Sequence, residues 1–250
     1  MSNEATSLQF SIVIPVYNEA ENIEPMVREI QAAFDGRPEA YEVIFVDDAS
    51  SDDSPAVLQR LTLETGVVRS LRHRRNFGQS AAVATGFRAA RGAWVGTLDG
   101  DGQNDPADLP HMLDEARRLK VDCVTGVRAK RQDNFIRKLS SRVGNGFRNW
   151  ATGDRVTDSG CGVRVVRAAC TRELPVFNGL HRFMPTLLRS KGYVVAEHPV
   201  NHRPRLRGVS KYGVHNRLWR GIRDCFGVRW FAARAVPAER VEGMEQGQGR

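Results

Sequence analysis

The chain has 250 residues, 41% of them hydrophobic, and a formal net charge of +8, which allows one full core and excludes a disordered or fibrous protein. No run approaches the ~18 to 20 apolar residues of a membrane-spanning helix, and Met1 to Ser7 lacks the basic start and apolar core of a signal peptide, so a cytoplasmic location is expected. Cys123, Cys161, Cys170 and Cys225 form no C-x-x-C pair, and His198 and His202 stand without a Cys or carboxylate cluster, which argues against a disulfide framework or a zinc site.

Residues 1–8 read as a disordered start. Phe10 to Val16 is a β-rich run, and Ile23, Val27, Ile30 and Phe34 share one helical face between Asn22 and Phe34. Tyr41 to Val46 is the next strand, ended by Asp47, Asp48 and a polar turn. Ser54 and Pro55 then suit the N-cap and first position of a helix over Ala56 to Leu63. Val67 to Leu71 reads as a strand, Gln79 to Ala90 as an Ala-rich helix, and Ala93 to Leu98 as a strand leading into Asp99. Pro106 opens a helix to about Leu119, and Val121 to Thr125 is a fifth strand. Alternation of this kind, with nearly continuous Val, Ile and Leu strands, predicts an α/β fold with a mostly parallel sheet covered by helices on both faces. Ligands of such sheets collect at the carboxyl ends of the strands. Tyr17-Asn-Glu19, Asp47-Asp48 and Asp99 to Gln103 all fall there.

Asp99 and Asp101 lie one residue apart in Leu98-Asp-Gly-Asp-Gly-Gln103. In an extended segment, residues i and i+2 point to one side, so both carboxylates can reach one hard cation, with Gln103 adding another oxygen. Magnesium and manganese suit such ligands. A solvated Asp/Gly turn is the competing reading of these residues taken alone.

After Arg128 the alternation gives way to a basic helical stretch, Arg137 to Trp150, then Val156 to Val166, then Glu173 to Tyr193. Arg128 to Arg223 carries 21 Lys or Arg against 5 Asp or Glu, so this half faces something anionic. Residues 216–234 place Trp219, Ile222, Phe226 and Trp230 at helical spacing with Arg217, Arg220 and Arg223 between them. Such a helix suits a membrane interface, and equally suits packing on the domain. Residues 235–250 are polar and read as a disordered tail.

Five separated blocks form one pattern: Ser11-Ile-Val-Ile-Pro-Val-Tyr-Asn-Glu19, Val46-Asp-Asp-Ala-Ser50, Arg75-Asn-Phe-Gly78, Leu98 to Gln103, and Arg205-Leu-Arg-Gly-Val-Ser-Lys-Tyr212. Over roughly residues 10 to 215 the chain resembles the family 2 glycosyltransferases, and within them the polyprenyl-phosphate sugar transferases of the dolichol-phosphate-mannose synthase type. The resemblance implies an A-type glycosyltransferase fold, with a catalytic domain over 9–215 divided into a nucleotide-sugar half (9–127) and an acceptor half (128–215). It implies that Pro15, Tyr17, Glu19, Asp47 and Asp48 hold the base and ribose, with Asn76 and Gly78 also on the donor side. Asp99, Asp101 and Gln103 would hold Mg2+ or Mn2+ against the donor diphosphate, and Arg205 and Lys211 would close over it as a cationic clamp. Arg128, Arg137 and Ser141 match positions that grip a lipid phosphate, and Asp158 matches a segment beside the sugar. His181 and Arg182 lie in another such segment, and Arg164 reads as structural.

The implied partners are a nucleotide sugar, UDP-linked by preference with GDP left open, a polyprenyl phosphate, and the inner face of the plasma membrane. Several relatives carry two transmembrane helices after the catalytic domain, so this chain is expected to be peripheral or held by a separate membrane-protein partner. The implied reaction is an inverting transfer of a monosaccharide to the lipid phosphate for cell-envelope modification. The alternative within enzymes is transfer to a soluble or protein-linked glycan, for which Asp158 is the candidate base. No nucleic-acid-binding motif accompanies the basic charge, and the first strand leads into Tyr-Asn-Glu rather than the G-x-G-x-x-G of dinucleotide oxidoreductases.

Overall fold

The computed structural model describes residues 8–128, 135–204 and 215–236. Its centre is a seven-stranded sheet in the order β3-β2-β1-β4-β6-β5-β7. The strands are β1 (Phe10–Val16), β2 (Tyr41–Asp47), β3 (Val68–Arg72), β4 (Trp94–Thr97), β5 (Cys123–Arg128), β6 (Arg164–Arg167) and β7 (Val195–Val200). All neighbours pair in parallel except β6, which runs antiparallel between β4 and β5. The expected strand–helix alternation therefore holds through β5. The stretch from Val156 to Val166 instead contributes a loop and the short reversed strand β6.

Helices α1 (Ala20–Phe34), α2 (Ser54–Thr65) and α4 (Asp108–Leu119) are joined by α3 (Gln79–Ala89), α5 (Phe135–Thr152), α6 (Ala168–Thr171), α7 (Leu180–Ser190) and α8 (His215–Ala232). The sheet is apolar on both faces because helices cover both. Ile12, Ile14, Val43 and Phe45 pack with Ile23, Ile30, Leu109 and Leu113 on one side. Val13, Ile44, Val46 and Val95 pack with Val83, Phe87, Phe183 and Leu187 on the other.

Ser54 does not cap α2. It is the first helical residue, and its hydroxyl accepts the Glu19 N–H at 3.0 Å, while Asp52 Oδ1 accepts the Ser54 N–H at 3.0 Å. The hydroxyl thus ties the loop after β1 to the loop after β2, and the two cross at the carboxyl edge of the sheet. Within the span from Glu173 to Tyr193, only Leu180–Ser190 forms the long helix, because Pro175 and Gly179 (φ 116°) punctuate its approach. The helix expected over residues 216–234 is α8, which begins at His215 and ends at Ala232, two residues short of the expected end. One buried arm ties α5 to α7: Arg148 Nη2 donates to Thr186 Oγ1 at 2.7 Å, and the same guanidinium lies 5.1 Å from the Phe183 ring centre.

On α3, a side chain at Gly86 would bring Cβ to 2.2 Å from Val13 Cγ1. Gly86→Ala is therefore expected to destabilise by ~1 to 3 kcal/mol through overpacking, despite the better helix propensity of Ala. A fall in melting temperature of about 2 to 8 °C, measured by thermal denaturation, checks this; an unchanged or raised value would show that Val13 yields freely.

Candidate active site

Three strand ends build the site. β1 ends in Tyr17, Asn18 and Glu19, β2 in Asp47 and Asp48, and β4 in the segment from Leu98 to Gln103. Asn18 takes a left-handed conformation (φ 53°), which suits Asn, and its Oδ1 accepts the Ser51 N–H at 2.7 Å. The Asn18 N–H in turn donates to Ser50 Oγ at 2.9 Å. Glu19 is largely buried, and its Oε2 accepts from Asn22 Nδ2 at 2.7 Å. Pro15 lies within β1, and Tyr17 is partly exposed at its end.

The two aspartates after β2 take different directions. Asp47 Oδ1 accepts the Ser50 N–H at 2.9 Å, and its Oδ2 lies 3.2 Å from Arg72 Nε as an ion pair without hydrogen-bond geometry. Asp48 is turned into the loop after β3: Oδ1 meets His73 Nδ1 at 2.7 Å and accepts the Phe77 N–H at 2.9 Å, while Oδ2 accepts the Gly78 N–H at 2.7 Å. The structure thus places Asp48 as a staple on the Arg75–Gly78 block. Asn76 and Gly78 are brought to the carboxyl edge of the sheet by that staple, with Gly78 at φ 89°, a conformation glycine adopts without strain.

Asp99 is held through both its backbone and its side chain. Its N–H donates to Asn104 Oδ1 at 2.9 Å, and its Oδ1 accepts from Gln79 Nε2 at 2.7 Å. A Cβ on Gly162 would sit 2.1 Å from Asp99 Oδ2, so the carboxylate lies directly against the backbone at the start of β6. Gly100 is equally obligatory, because a Cβ there would meet the Pro15 carbonyl oxygen at 2.7 Å. Burial, with Asp101 beside it, pushes the Asp99 carboxyl up to about 6 against the opposing pull of Arg164, Arg128 and Gln79. Asp101 Oδ1 accepts the Gln103 N–H at 3.1 Å. Gln103 exchanges hydrogen bonds with Arg203, donating from Nε2 to its carbonyl at 3.3 Å and accepting its N–H at 2.8 Å. Arg203 is itself held by Glu29 (2.7 Å) and Asp105 (2.8 Å), so the segment leading to Arg205 starts from a fixed point beside the acidic turn. Arg205 and Lys211 lie outside the described residues.

The donor set fits a hard divalent cation. Among the described residues no three His, Cys, Asp or Glu form a metal-holding group. The protein offers two carboxylates and an amide, so a bound Mg2+ or Mn2+ would complete its shell from diphosphate oxygens and water, as nucleotide-borne metals do. Two carboxylates on one short turn, one of them half buried, are also what a cation would stabilise.

Arg128 and Asp158, both expected near the acceptor, meet each other. Nε and Nη2 of Arg128 each lie 2.7 Å from an Asp158 oxygen, a bidentate pair, and the Gly160 N–H donates to Asp158 Oδ1 at 3.2 Å. Arg137 and Ser141 fall in α5, with their side chains outside the described residues. His181 Nδ1 meets Ser80 Oγ at 2.8 Å, and the same hydroxyl accepts the Gly179 N–H at 2.9 Å, which joins the start of α7 to α3. Gln79, Asn104 and Gly162 shape Asp99 without having been singled out in the sequence. Their only signal there is position, with Gln79 at the mouth of an Ala-rich helix and Asn104 closing the D-G-D-G-Q run.

A family model described as Glycosyl transferase family 2 matches residues 11–172. The dodecaprenyl-phosphate galacturonate synthase of Rhizobium johnstonii is 36% identical over 231 residues, covering 90% of this chain and 68% of that protein. The undecaprenyl-phosphate 4-deoxy-4-formamido-L-arabinose transferase of Edwardsiella ictaluri is 37% identical over 216 residues, covering 86% of this chain and 66% of that protein. The chain belongs to glycosyl transferase family 2. Its fold is the A-type glycosyltransferase fold. A mannosyltransferase from Pyrobaculum calidifontis, solved with GDP-Man and Mn2+, superposes with a TM-score of 0.62 at 21% identity, over 92% of this chain and 65% of that one. Glucosyl-3-phosphoglycerate synthase from Mycobacterium tuberculosis, solved with Mn2+, UDP-glucose and phosphoglyceric acid, superposes at 0.64 and 17%, over 92% and 81%.

If Asp101 helps to hold a metal on a donor diphosphate, Asp101→Asn is expected to keep the fold and lower turnover by ~100-fold or more, since the substitution removes one of the two carboxylates of the turn. Steady-state kinetics beside circular dichroism checks this; full activity in a folded variant would remove Asp101 from the metal site.

Proposed function

We propose that this chain transfers a monosaccharide from a nucleotide sugar to a polyprenyl phosphate, with Mg2+ or Mn2+ on the donor diphosphate and inversion at the anomeric carbon. The observation that carries the reading is the single carboxyl edge on which Glu19, Asp47, Asp99 and Asp101 gather, continuing into a half of the chain rich in Lys and Arg. The relatives named for dodecaprenyl- and undecaprenyl-phosphate transfer support the acceptor class.

The chemistry follows from the acceptor. A lipid phosphate is anionic near neutral pH and attacks without a general base. A sugar hydroxyl would need one, and the candidate, Asp158, has both oxygens on Arg128. That pairing disfavours a glycan acceptor. Asp99, Asp101 and Gln103 would hold the metal, which supplies charge neutralisation for the leaving nucleoside diphosphate. Arg205 and Lys211 would add cationic cover. Tyr17, Glu19 and Asp47 border the nucleoside, and Asp48 shapes its wall through the Phe77 and Gly78 amides. Arg128, with Arg137 and Ser141, would receive the lipid phosphate. Alignment of the two anions would supply on the order of 7 kcal/mol in well-oriented cases.

The acceptor also sets the location, at the inner face of the plasma membrane. Among the described residues no helix is long and apolar enough to cross a membrane. The packed pair α5 and α8 exposes three large aromatics: Trp150 (69%), Phe226 (52%) and Trp230 (61%). Arg229 Nη1 donates to the Ala151 carbonyl at 3.3 Å, joining the ends of the two helices, and Arg234 lies 4.8 Å from the Trp230 ring centre. Exposed aromatics flanked by arginines suit an anionic bilayer surface.

Two measurements test the reading. Purified protein with undecaprenyl phosphate, Mn2+ or Mg2+ and a panel of radiolabelled UDP- and GDP-sugars is expected to place label in the organic phase in a metal-dependent way. Label that stays aqueous while the nucleotide sugar binds would move the acceptor to a soluble or protein-linked glycan. In a vesicle co-sedimentation assay, combined Trp150→Ala, Phe226→Ala and Trp230→Ala is expected to weaken binding to anionic vesicles about tenfold or more, or ~1.4 kcal/mol; unchanged partitioning would leave α8 as a packing helix only.

A further inference from the structure

Asp99 is held from three directions by groups that are not themselves metal ligands. Asn104 fixes its backbone, Gly162 gives its carboxylate a flat surface at the start of β6, and Gln79 Nε2 donates to Oδ1 at 2.7 Å. Gln79 is in turn fixed at its root. It is the first residue of α3, and the two residues before it hang by their N–H groups from the buried carboxylate of Asp48. A side-chain amide on such a base is a rigid donor, and its reach is set by the length of a glutamine.

We infer that Gln79 is a positioning residue for the metal: it holds one oxygen of Asp99 and fixes the plane of the carboxylate. The inference rests on the proposed role of Asp99 as a metal ligand and adds to it a residue from a different helix. The physical reason lies in the free rotation of a carboxylate. An Asp tethered only by its own backbone samples several χ settings, and ordering it on metal binding has an entropic cost. A donor already bonded to one oxygen removes that cost before the metal arrives. Partners of this kind behind a ligand typically change metal affinity by ~10 to 100-fold when lost. Gly162 works from the opposite side, since any Cβ there would push the carboxylate off this position.

The test is Mn2+ affinity, measured by electron paramagnetic resonance on the full chain in the presence of UDP. Gln79→Met keeps the length and volume and removes the donor; Gln79→Asn keeps the donor and removes the reach. Both are expected to weaken Mn2+ binding by about tenfold or more, with the metal-free melting temperature within ~2 °C of the parent. Gly162→Ala should weaken Mn2+ binding at least as much. In turnover, the Gln79 variants should raise the half-saturating Mn2+ concentration more than they lower kcat at saturating Mn2+. Unchanged Mn2+ affinity in Gln79→Met overturns the inference while leaving Asp99 as a ligand. A parent chain that binds no Mn2+ with UDP overturns both. Weakened binding in the variants together with no lipid product in the transfer assay would sustain the inference and move only the acceptor.

Discussion

A carboxylate buried on one side and faced by a second carboxylate two residues away is costly to ionise, and most of the architecture at this site serves to hold Asp99 in that position. The cost is visible in its carboxyl, pushed up to about 6 by burial and by Asp101. A site built only for stability would replace Asp99 with an apolar residue. Keeping it makes sense where a cation and an anionic ligand arrive together, because the cation then cancels the repulsion on both sides of it. The reversed strand β6 belongs to the same constraint. Its antiparallel register sets Arg164 opposite Thr97 and so brings Gly162 across from Asp99. Arg164, only 3% exposed, places a cation behind the acidic turn on the same face of the sheet.

A second consequence concerns what an acidic residue at a strand end is for. Asp47 and Asp48 are adjacent, similarly buried, and equally plausible as nucleoside contacts in sequence. The fold separates them. Asp48 spends both oxygens on His73 and on the Phe77 and Gly78 amides, which orders a loop containing four consecutive basic residues, Arg72 to Arg75. Without that acceptor the loop would have two unsatisfied N–H groups at the mouth of α3. Asp47, equally buried, faces Arg72 and the Ser50 amide instead.

Much of the first half of the chain was legible in the sequence because its elements obey local rules. Continuous Val/Ile runs mark buried parallel strands, apolar i, i+4 spacing marks α1, and polar residues cluster where strands stop. The second half was less legible for physical reasons. Strand β6 is four residues long, pairs with partners about 40 and 70 residues earlier in sequence, and carries a buried Arg at its start, so neither alternation nor composition announces it. Gln79 and Gly162 were missed for the same reason. Each acts on Asp99 across a distance in sequence, Gln79 from 20 residues away, and no local pattern encodes such a contact. The cap at α2 fails differently: Ser54 has the right chemistry for a cap, but a tertiary partner, the Glu19 N–H, claims its hydroxyl.

The turn from Asp158 to Gly162 links the two halves. Gly160 lacks a Cβ where one would sit 2.9 Å from Arg128 Nη2, and Gly162 lacks one where it would collide with Asp99. Asp158, at the start of the same turn, grips Arg128 through both oxygens. The spacing between the proposed phosphate-binding cation and the proposed metal ligand is therefore set by five consecutive residues and not by the packing of two separate lobes. In the proposed transfer an attacking phosphate and a departing diphosphate stand on opposite sides of one carbon, and a misplacement of about 1 Å costs on the order of 100-fold in rate. A short turn with a glycine under each partner meets that demand, because neither partner can shift without moving the backbone that supports the other.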